Sequence, residues 1–260
     1  MTGGKADTSA SVEGRVVIVT GAGGGIGRAY AKHFAANGAI PVIAEINGQN
    51  AKKVEDEIRS EGGSALAVQT DVSDEASVAA MVAETMEKFG RIDVLINNAA
   101  IFAALNRAKF EDIPREDWMR MLEVNVIGSW ACAKAVVPHM RAGGYGRIVN
   151  VSSSTVPTGL PFMTHYVTSK AAIVGLTRCM ATELGADGIT VNAIMPGLTE
   201  TEVEYNGRTE QGIAMSVAIQ RIKRVETADD LVGTVLFLAS PAAGFITGQS
   251  LLIDGGTAFL

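Results

Sequence analysis

The chain has 260 residues, 47% of them hydrophobic, and a mean hydropathy of +0.22, which excludes a disordered chain and leaves room for one large α/β domain. A formal charge of −6 argues against nucleic acid or an anionic membrane as the main partner. Cys132 and Cys179 sit in apolar helical patterns and read as two buried, reduced thiols; with no bilayer-length apolar run and no secretory h-region near the start, a cytoplasmic protein is expected.

In chain order, 1–12 reads as a loose tail and 13–260 as a single domain. Residues 15–20 form a β-branched run that stops at glycines, a buried strand. The glycine-rich stretch 21–27 follows, then a helix over 28–37 closed by Gly38. Strand two is 40–45, and Asn47 is placed to cap a helix through Ser60. Strand three covers 65–70. Ser73 is expected to cap a helix ending near Gly90, and 92–97 is strand four. A long helix is expected over 115–140, strand five over 147–152, a helix around Tyr166 to Leu184, and strand six over 189–194. From Met195 an irregular, acidic segment runs to about Gln220; its part from 198 reads as a substrate lid, with Glu200, Glu202, Glu204 and Glu210 opposed only by Arg208. Thr227 caps a last helix to Ala239, and 250–254 is strand seven. This alternation predicts a single doubly wound Rossmann-type domain: a seven-stranded, mostly parallel sheet with helices on both faces. The helices over 118–140 and 167–184 are apolar or small nearly all round, so self-association is expected.

The glycine stretch suits a dinucleotide pyrophosphate, because glycines let it approach the backbone at a helix N-terminus. Gly21, Gly24, Gly25, Ile26 and Gly27 are its expected contacts. The stretch does not match G-x-G-x-x-G in register; it reads Thr20-Gly21-x-x-x-Gly25-x-Gly27. Glu45, eighteen residues beyond Gly27, is placed to hydrogen-bond a ribose 2′-OH and to repel a 2′-phosphate. No arginine is seen beside it, at Gly24 or at Ile46 and Asn47, which favours NAD over NADP. Asp71, with Val72 beside it, is placed for the adenine edge. Asn98, Ala99 and Ala100 offer small residues on which a flat ring could lie.

Ser153 lies thirteen residues before Tyr166, and Tyr166 four before Lys170. Four residues is about one helical turn, so phenol and ammonium can share a face. A nearby cation is expected to lower the phenol's pKa and make Tyr166 a general base for alcohol oxidation and acid for ketone reduction. Ser153, picked by the thirteen-residue spacing, would donate to the reacting oxygen; Ser152, Ser154 and Thr155 are rivals for that role, and Ser154 could help bind substrate. His33, His139 and His165 are scattered without ligand spacing, so no metal site is expected.

Together these residues resemble the short-chain dehydrogenase/reductase family over essentially the whole chain after the tail. Thr20-Gly21-x-x-x-Gly25-x-Gly27 resembles its glycine motif, and Asn97-Asn98-Ala99-Ala100 its N-N-A-G motif with Ala100 for the glycine. Ser153, Tyr166 and Lys170 resemble its serine and Y-x-x-x-K. The resemblance implies that Asn125 is an active-site asparagine holding a relay water toward Lys170. It implies that Lys170 holds the nicotinamide ribose, and that Pro196, Gly197 and Thr199 lie beside the nicotinamide. It implies hydride transfer between NAD and an alcohol or ketone in a homotetramer. The chain is similar to NAD-dependent secondary-alcohol dehydrogenases and to 3-oxoacyl-carrier-protein reductases. An apolar pocket of Phe102, Ser154, Val156, Phe162, Met163, Leu198 and Tyr205 suits a hydrophobic or aromatic small-molecule substrate. The alternatives are an NADPH-dependent 3-oxoacyl-thioester reductase and a catalytically silent NAD-binding scaffold.

Overall fold

The computed structural model describes residues 8–206 and 209–260. The first seven residues of the expected tail, and Arg208 in the acidic segment, lie outside the described residues.

Strands and helices alternate as β1 (Val16–Thr20), α1 (Gly25–Ala36), β2 (Ile40–Glu45), α2 (Gly48–Ser60), β3 (Leu66–Gln69), α3 (Glu75–Phe89) and β4 (Val94–Asn97). Helices α4 (Arg115–Leu122) and α5 (Gly128–Gly143) follow, joined by a π turn over Glu123–Ile127, and lead to β5 (Gly146–Val151). The rest is α6 (Thr155–Thr158), α7 (Thr164–Leu184), β6 (Ile189–Pro196), β7 (Thr199–Glu200), α8 (Glu210–Ile219), β8 (Glu226–Thr227), α9 (Ala228–Ala239) and β9 (Ser250–Ile253). Seven strands form one sheet in the order β3-β2-β1-β4-β5-β6-β9, every pair parallel. The order reverses at β1 and β4, which opens a crevice at their C-terminal ends.

Alternation along the strands builds the two core layers. Val17 and Val19 of β1 pack with Tyr30 and Phe34 of α1, Val54 and Ile58 of α2, and Leu231 and Val235 of α9. Val16 and Ile18 point the other way, among Met81 of α3, Cys132, Val136 and Met140 of α5, and Leu184 of α7. Each buried aliphatic side chain contributes roughly 1.5–3 kcal/mol, and burial on both faces accounts for the Val- and Ile-rich runs of these strands.

Several local expectations need correction. Helix α1 begins at Gly25 instead of residue 28, so its unpaired N–H groups lie inside the glycine stretch. The cap of α3 is Asp74, which accepts from Ala76 N; Ser73 instead donates through both N and Oγ to Asp71 Oδ1. Asn47 does cap α2, accepting from Gln49 N and Asn50 N. The long helix over 115–140 extends to Gly143 and carries the π turn. The segment expected to be irregular contains α8, capped by Thr209, and a short parallel ribbon of β7 with β8. Of the tail, Ser9 O accepts from Ala242 N at 2.9 Å and Val12 is buried, so the chain is tied down before residue 13. Cys132 is buried, but Cys179 is exposed on the outward face of α7; both are free thiols.

Candidate active site

A cavity of about 1340 Å³ opens along the C-terminal ends of the strands. Every residue expected to contact a dinucleotide lines it: Gly21, Gly24, Gly25, Ile26, Gly27, Glu45, Asp71, Val72, Asn98, Ala99, Ala100, Pro196, Gly197 and Thr199. So do Ser153, Tyr166 and Lys170. Its volume exceeds that of a usual single-ligand pocket and leaves room for two molecules side by side.

The cofactor end is held by its own backbone. Gly21 has φ +63, and a Cβ there would lie 2.8 Å from Ala99 Cα. A Cβ on Gly27 would sit 2.3 Å from Gly21 O, so the turn closes only with glycine at that position. Thr20 Oγ1 accepts from Asn98 N and Ala99 N, and Asn98 Nδ2 donates to Thr20 O and Gly21 O. The side chain of Asn98 therefore braces the turn, leaving the main chain of 98–100 to face the cavity. Glu45 accepts from Gly23 N at 3.1 Å through Oε2 and from Asn47 N at 3.1 Å through Oε1. Gly25 N donates to Glu202 Oε1 at 3.1 Å, and Val203 lies over Gly24 and Gly25. The sequence reading found no arginine near Glu45, but Arg28 lines the same cavity, as does Lys53. Arg28 is committed to Glu57 at 2.7 Å, which together with Glu202 raises its pKa.

The reaction end forms where β5 stops and α7 begins. Lys170 Nζ donates to Val151 O at 2.8 Å, and Ser152 Oγ donates to Lys170 O at 2.7 Å, locking strand to helix. Lys170 Nζ lies 5.8 Å from the centre of the Tyr166 ring. The ammonium does not lower the phenol's pKa as expected. Burial pushes Tyr166 up to about 12, with the Ser153 hydroxyl pulling it back down, and burial pushes Lys170 down to about 8. The physical reason is that both side chains are buried, and the cost of desolvating a charge outweighs what the Ser153 hydroxyl returns to the phenol.

Asn125 is buried in the π turn and does not line the cavity. Its Oδ1 accepts from Ile101 N at 2.8 Å, and its Nδ2 donates to Ser169 Oγ at 3.0 Å and faces Met121 Sδ at 3.0 Å. It joins the floor of the cavity to α7, with one Oδ1 lone pair left for a water. His165 is buried against Trp118, 6.1 Å between ring centres, and burial lowers its pKa despite Asp117. It lies outside the cavity. Among the described residues no three His, Cys, Asp or Glu side chains gather to hold a metal.

At the substrate end Phe102, Ser154, Met163, Leu198 and Tyr205 line the cavity as expected. Phe102 stacks at 5.4 Å from Tyr166 and 5.3 Å from Tyr205. Two expected residues do not line it. Phe162 has φ +63, which turns its side chain outward while its carbonyl accepts from Ala108 N. Val156 sits on α6 between Thr155 and Thr158; those two line the cavity three residues apart, so Val156 points elsewhere. Thr155, a rival to Ser153 in the sequence, lines the cavity too, as do Thr201 and Glu202 of the expected lid and, from the helix α8 that the lid contains, Met215 and Ile219. The last two are four apart, a helical spacing that was available as a signal.

The glycine cradle at the start of α1 and the length of the cavity fit a dinucleotide. Known proteins agree. Residues 21–258 match a family model described as enoyl-(acyl carrier protein) reductase. The cis-4-hydroxycyclohexanecarboxylate dehydrogenase of Sinomonas cyclohexanicum is 39% identical, over 93% of this chain and 96% of the relative. A 3-oxoacyl-[acyl-carrier-protein] reductase of Synechocystis is 38% identical, again over 93% and 96%. A 7α-hydroxysteroid dehydrogenase, solved with NADH and 7-oxo glycochenodeoxycholic acid, superposes with a TM-score of 0.90 at 35% identity, covering 95% of both chains.

Proposed function

The chain belongs to the short-chain dehydrogenase/reductase family, and from that membership we propose that it transfers a hydride between NAD(H) and a secondary alcohol or its ketone with an apolar or aromatic body. The observation that carries the reading is the meeting of Ser153, Tyr166 and Lys170 in the cavity whose other end is the glycine cradle. The dinucleotide supplies the hydride carrier; the chain supplies orientation and the proton. The Tyr166 phenol, with its pKa near 12, is protonated at neutral pH and gives its proton to the oxygen of a ketone. In the oxidative direction it takes the alcohol's proton, so oxidation gains as pH rises. Ser153 donates to the same oxygen. Lys170 would hold the ribose of a bound dinucleotide, and Asn125 would support a water on the proton's way to solvent.

NAD is preferred in this reading because the Glu45 carboxylate, held by two backbone N–H groups, stands where a 2′-phosphate would come. Phe102, Met163, Leu198 and Tyr205 give the substrate wall its apolar character. The chain would act on its small-molecule substrate in the cytoplasm as a homo-oligomer, a tetramer in the family's pattern. The second reading, an NADPH-dependent 3-oxoacyl-thioester reductase, has the Synechocystis relative in its favour.

Fluorescence titration with NADH and NADPH, followed by a panel of aliphatic ketones, aryl ketones and 3-oxoacyl thioesters, separates them. NADH should bind at least about tenfold tighter, a difference of about 1.4 kcal/mol, and aryl or cyclic ketones should turn over fastest. Tighter NADPH with thioester turnover would establish the second reading; tight NADH without any turnover would leave a binding scaffold.

A further inference from the structure

A serine hydroxyl has one hydrogen to give and two lone pairs to receive. On Ser153 Oγ both lone pairs are addressed by one residue: Thr155 N donates at 3.2 Å and Thr155 Oγ1 lies at 2.9 Å. The first contact has a fixed direction, because a backbone N–H can only donate. The second is settled by what lies on the other side. Ser153 faces the Tyr166 phenol and draws its pKa downward, as a donor to the phenolate does. One hydrogen cannot serve Tyr166 and Thr155 together, so the Thr155 hydroxyl is the donor in the 2.9 Å contact. Thr155 is placed for this by α6, whose first residue it is, while Ser153 ends the strand side of the turn.

We propose that Thr155 is a positioning residue that fills both lone pairs of Ser153 Oγ and so turns the only hydrogen of that hydroxyl toward Tyr166 and the oxygen of a bound substrate. The proposal rests on the reading of Ser153 as a donor in the reaction. Ser153 is then a donor and nothing else: it has no lone pair for a substrate N–H or O–H. The site accepts an oxygen that offers electron pairs, a carbonyl or a developing alkoxide. Without the Thr155 hydroxyl the Ser153 rotor regains a second orientation, pointing away from the reaction.

The test compares Thr155→Val, Thr155→Ser and Ser153→Ala with the ketone of the panel above that turns over fastest. Thr155→Val keeps the size and the backbone N–H but removes the hydroxyl. It should lower kcat about tenfold, near the worth of one hydrogen bond. NADH affinity by fluorescence titration and the melting temperature should stay unchanged. In an ultraviolet difference titration, with Tyr166→Phe as the blank, the Tyr166 phenol should ionise at higher pH in Thr155→Val than in the wild type. Thr155→Ser should restore both kcat and the phenol titration. If Ser153→Ala loses activity while Thr155→Val keeps wild-type kcat and phenol titration, the positioning role is overturned and the catalytic reading stands. If Ser153→Ala keeps full activity, both fall together.

Discussion

Glu226 is the least expected residue of the site's surroundings. It is buried behind the turn that carries Gly197, and its Oε1 accepts from Thr199 Oγ1 at 2.6 Å. Its Oε2 has no hydrogen-bond partner, and neither does the buried Tyr30 hydroxyl of α1, whose pKa Glu226 helps to raise. Burial pushes the Glu226 carboxyl up to about 7, against the pull of the Thr199 hydroxyl, with Asp230 and Asp254 adding to the rise. In the unfolded chain the same carboxyl ionises near 4.5. Between these values the folded protein holds the extra proton, so stability falls as pH rises through the window, and the cost is complete above about 7. It amounts to at most about 3 kcal/mol. Glu226→Gln keeps an acceptor for Thr199 and removes the charge. Its melting temperature relative to the wild type should therefore be higher at pH 8 than at pH 5; an equal offset at both would refute the buried charge. Tyr166 and Lys170 were readable as a pair because four residues along a helix is about one turn, and Ser153 because it follows the end of a strand run. Glu226 was not, and Thr155 was readable only as a rival to Ser153, since burial behind a turn and the sharing of one hydroxyl's lone pairs leave no periodic trace.

At the scale of elements, the caps show what a local signal can and cannot specify. Asn47 precedes α2 and bonds to both Gln49 N and Asn50 N, as its position suggested. Ser73 looked equally suitable for α3, but Asp71 engages both its hydroxyl and its amide, and the cap passes to Asp74. The competition was between a helix and a neighbouring carboxylate three-dimensionally fixed at the end of β3. Asn47→Ala should cost about 1 kcal/mol, a fall of about 2–4 °C in melting temperature. It should leave NADH affinity unchanged, because the Asn47 backbone N–H that holds Glu45 remains. A loss of affinity would mean that the cap itself sets the geometry of Glu45. Helix α8 was hidden for a different reason: Glu204, Glu210 and neighbouring polar residues mask the apolar spacing of Met215 and Ile219.

For the whole molecule, the alternation of β-branched runs with longer amphipathic stretches was enough to give the parallel sheet, because right-handed crossovers leave few other arrangements. What alternation does not give is the outer surface. Met119 of α4, Ile127 of the π turn and Trp130 of α5 are exposed, and the outward face of α7 presents small residues such as Ala171 and Gly175. Phe245, Phe259 and Leu260 form further exposed apolar groups at the end of the chain. Apolar groups in such number suit contact with a second copy. Light scattering at micromolar concentration should show a dimer or tetramer, and Trp130→Glu together with Gly175→Glu should shift it toward monomer. A wild type that is monomeric throughout would overturn the assembly and leave the active-site reading intact.

The π turn over Glu123–Ile127 has a consequence for how this chain tolerates length change. A residue added to one turn advances the phase of everything after it by about 100°. Before the turn, Met121 faces the substrate end; after it, Cys132, Val136 and Met140 face the sheet. A regular helix through the same positions would satisfy one group and swing the other out of place. Deleting one residue inside the turn would therefore let a regular helix keep both phases, whereas deleting one on either side of it would set two halves of the protein's interior against each other. Asn125 stands at the point where the two phases are reconciled, so its place in the sequence is fixed by packing as firmly as by chemistry.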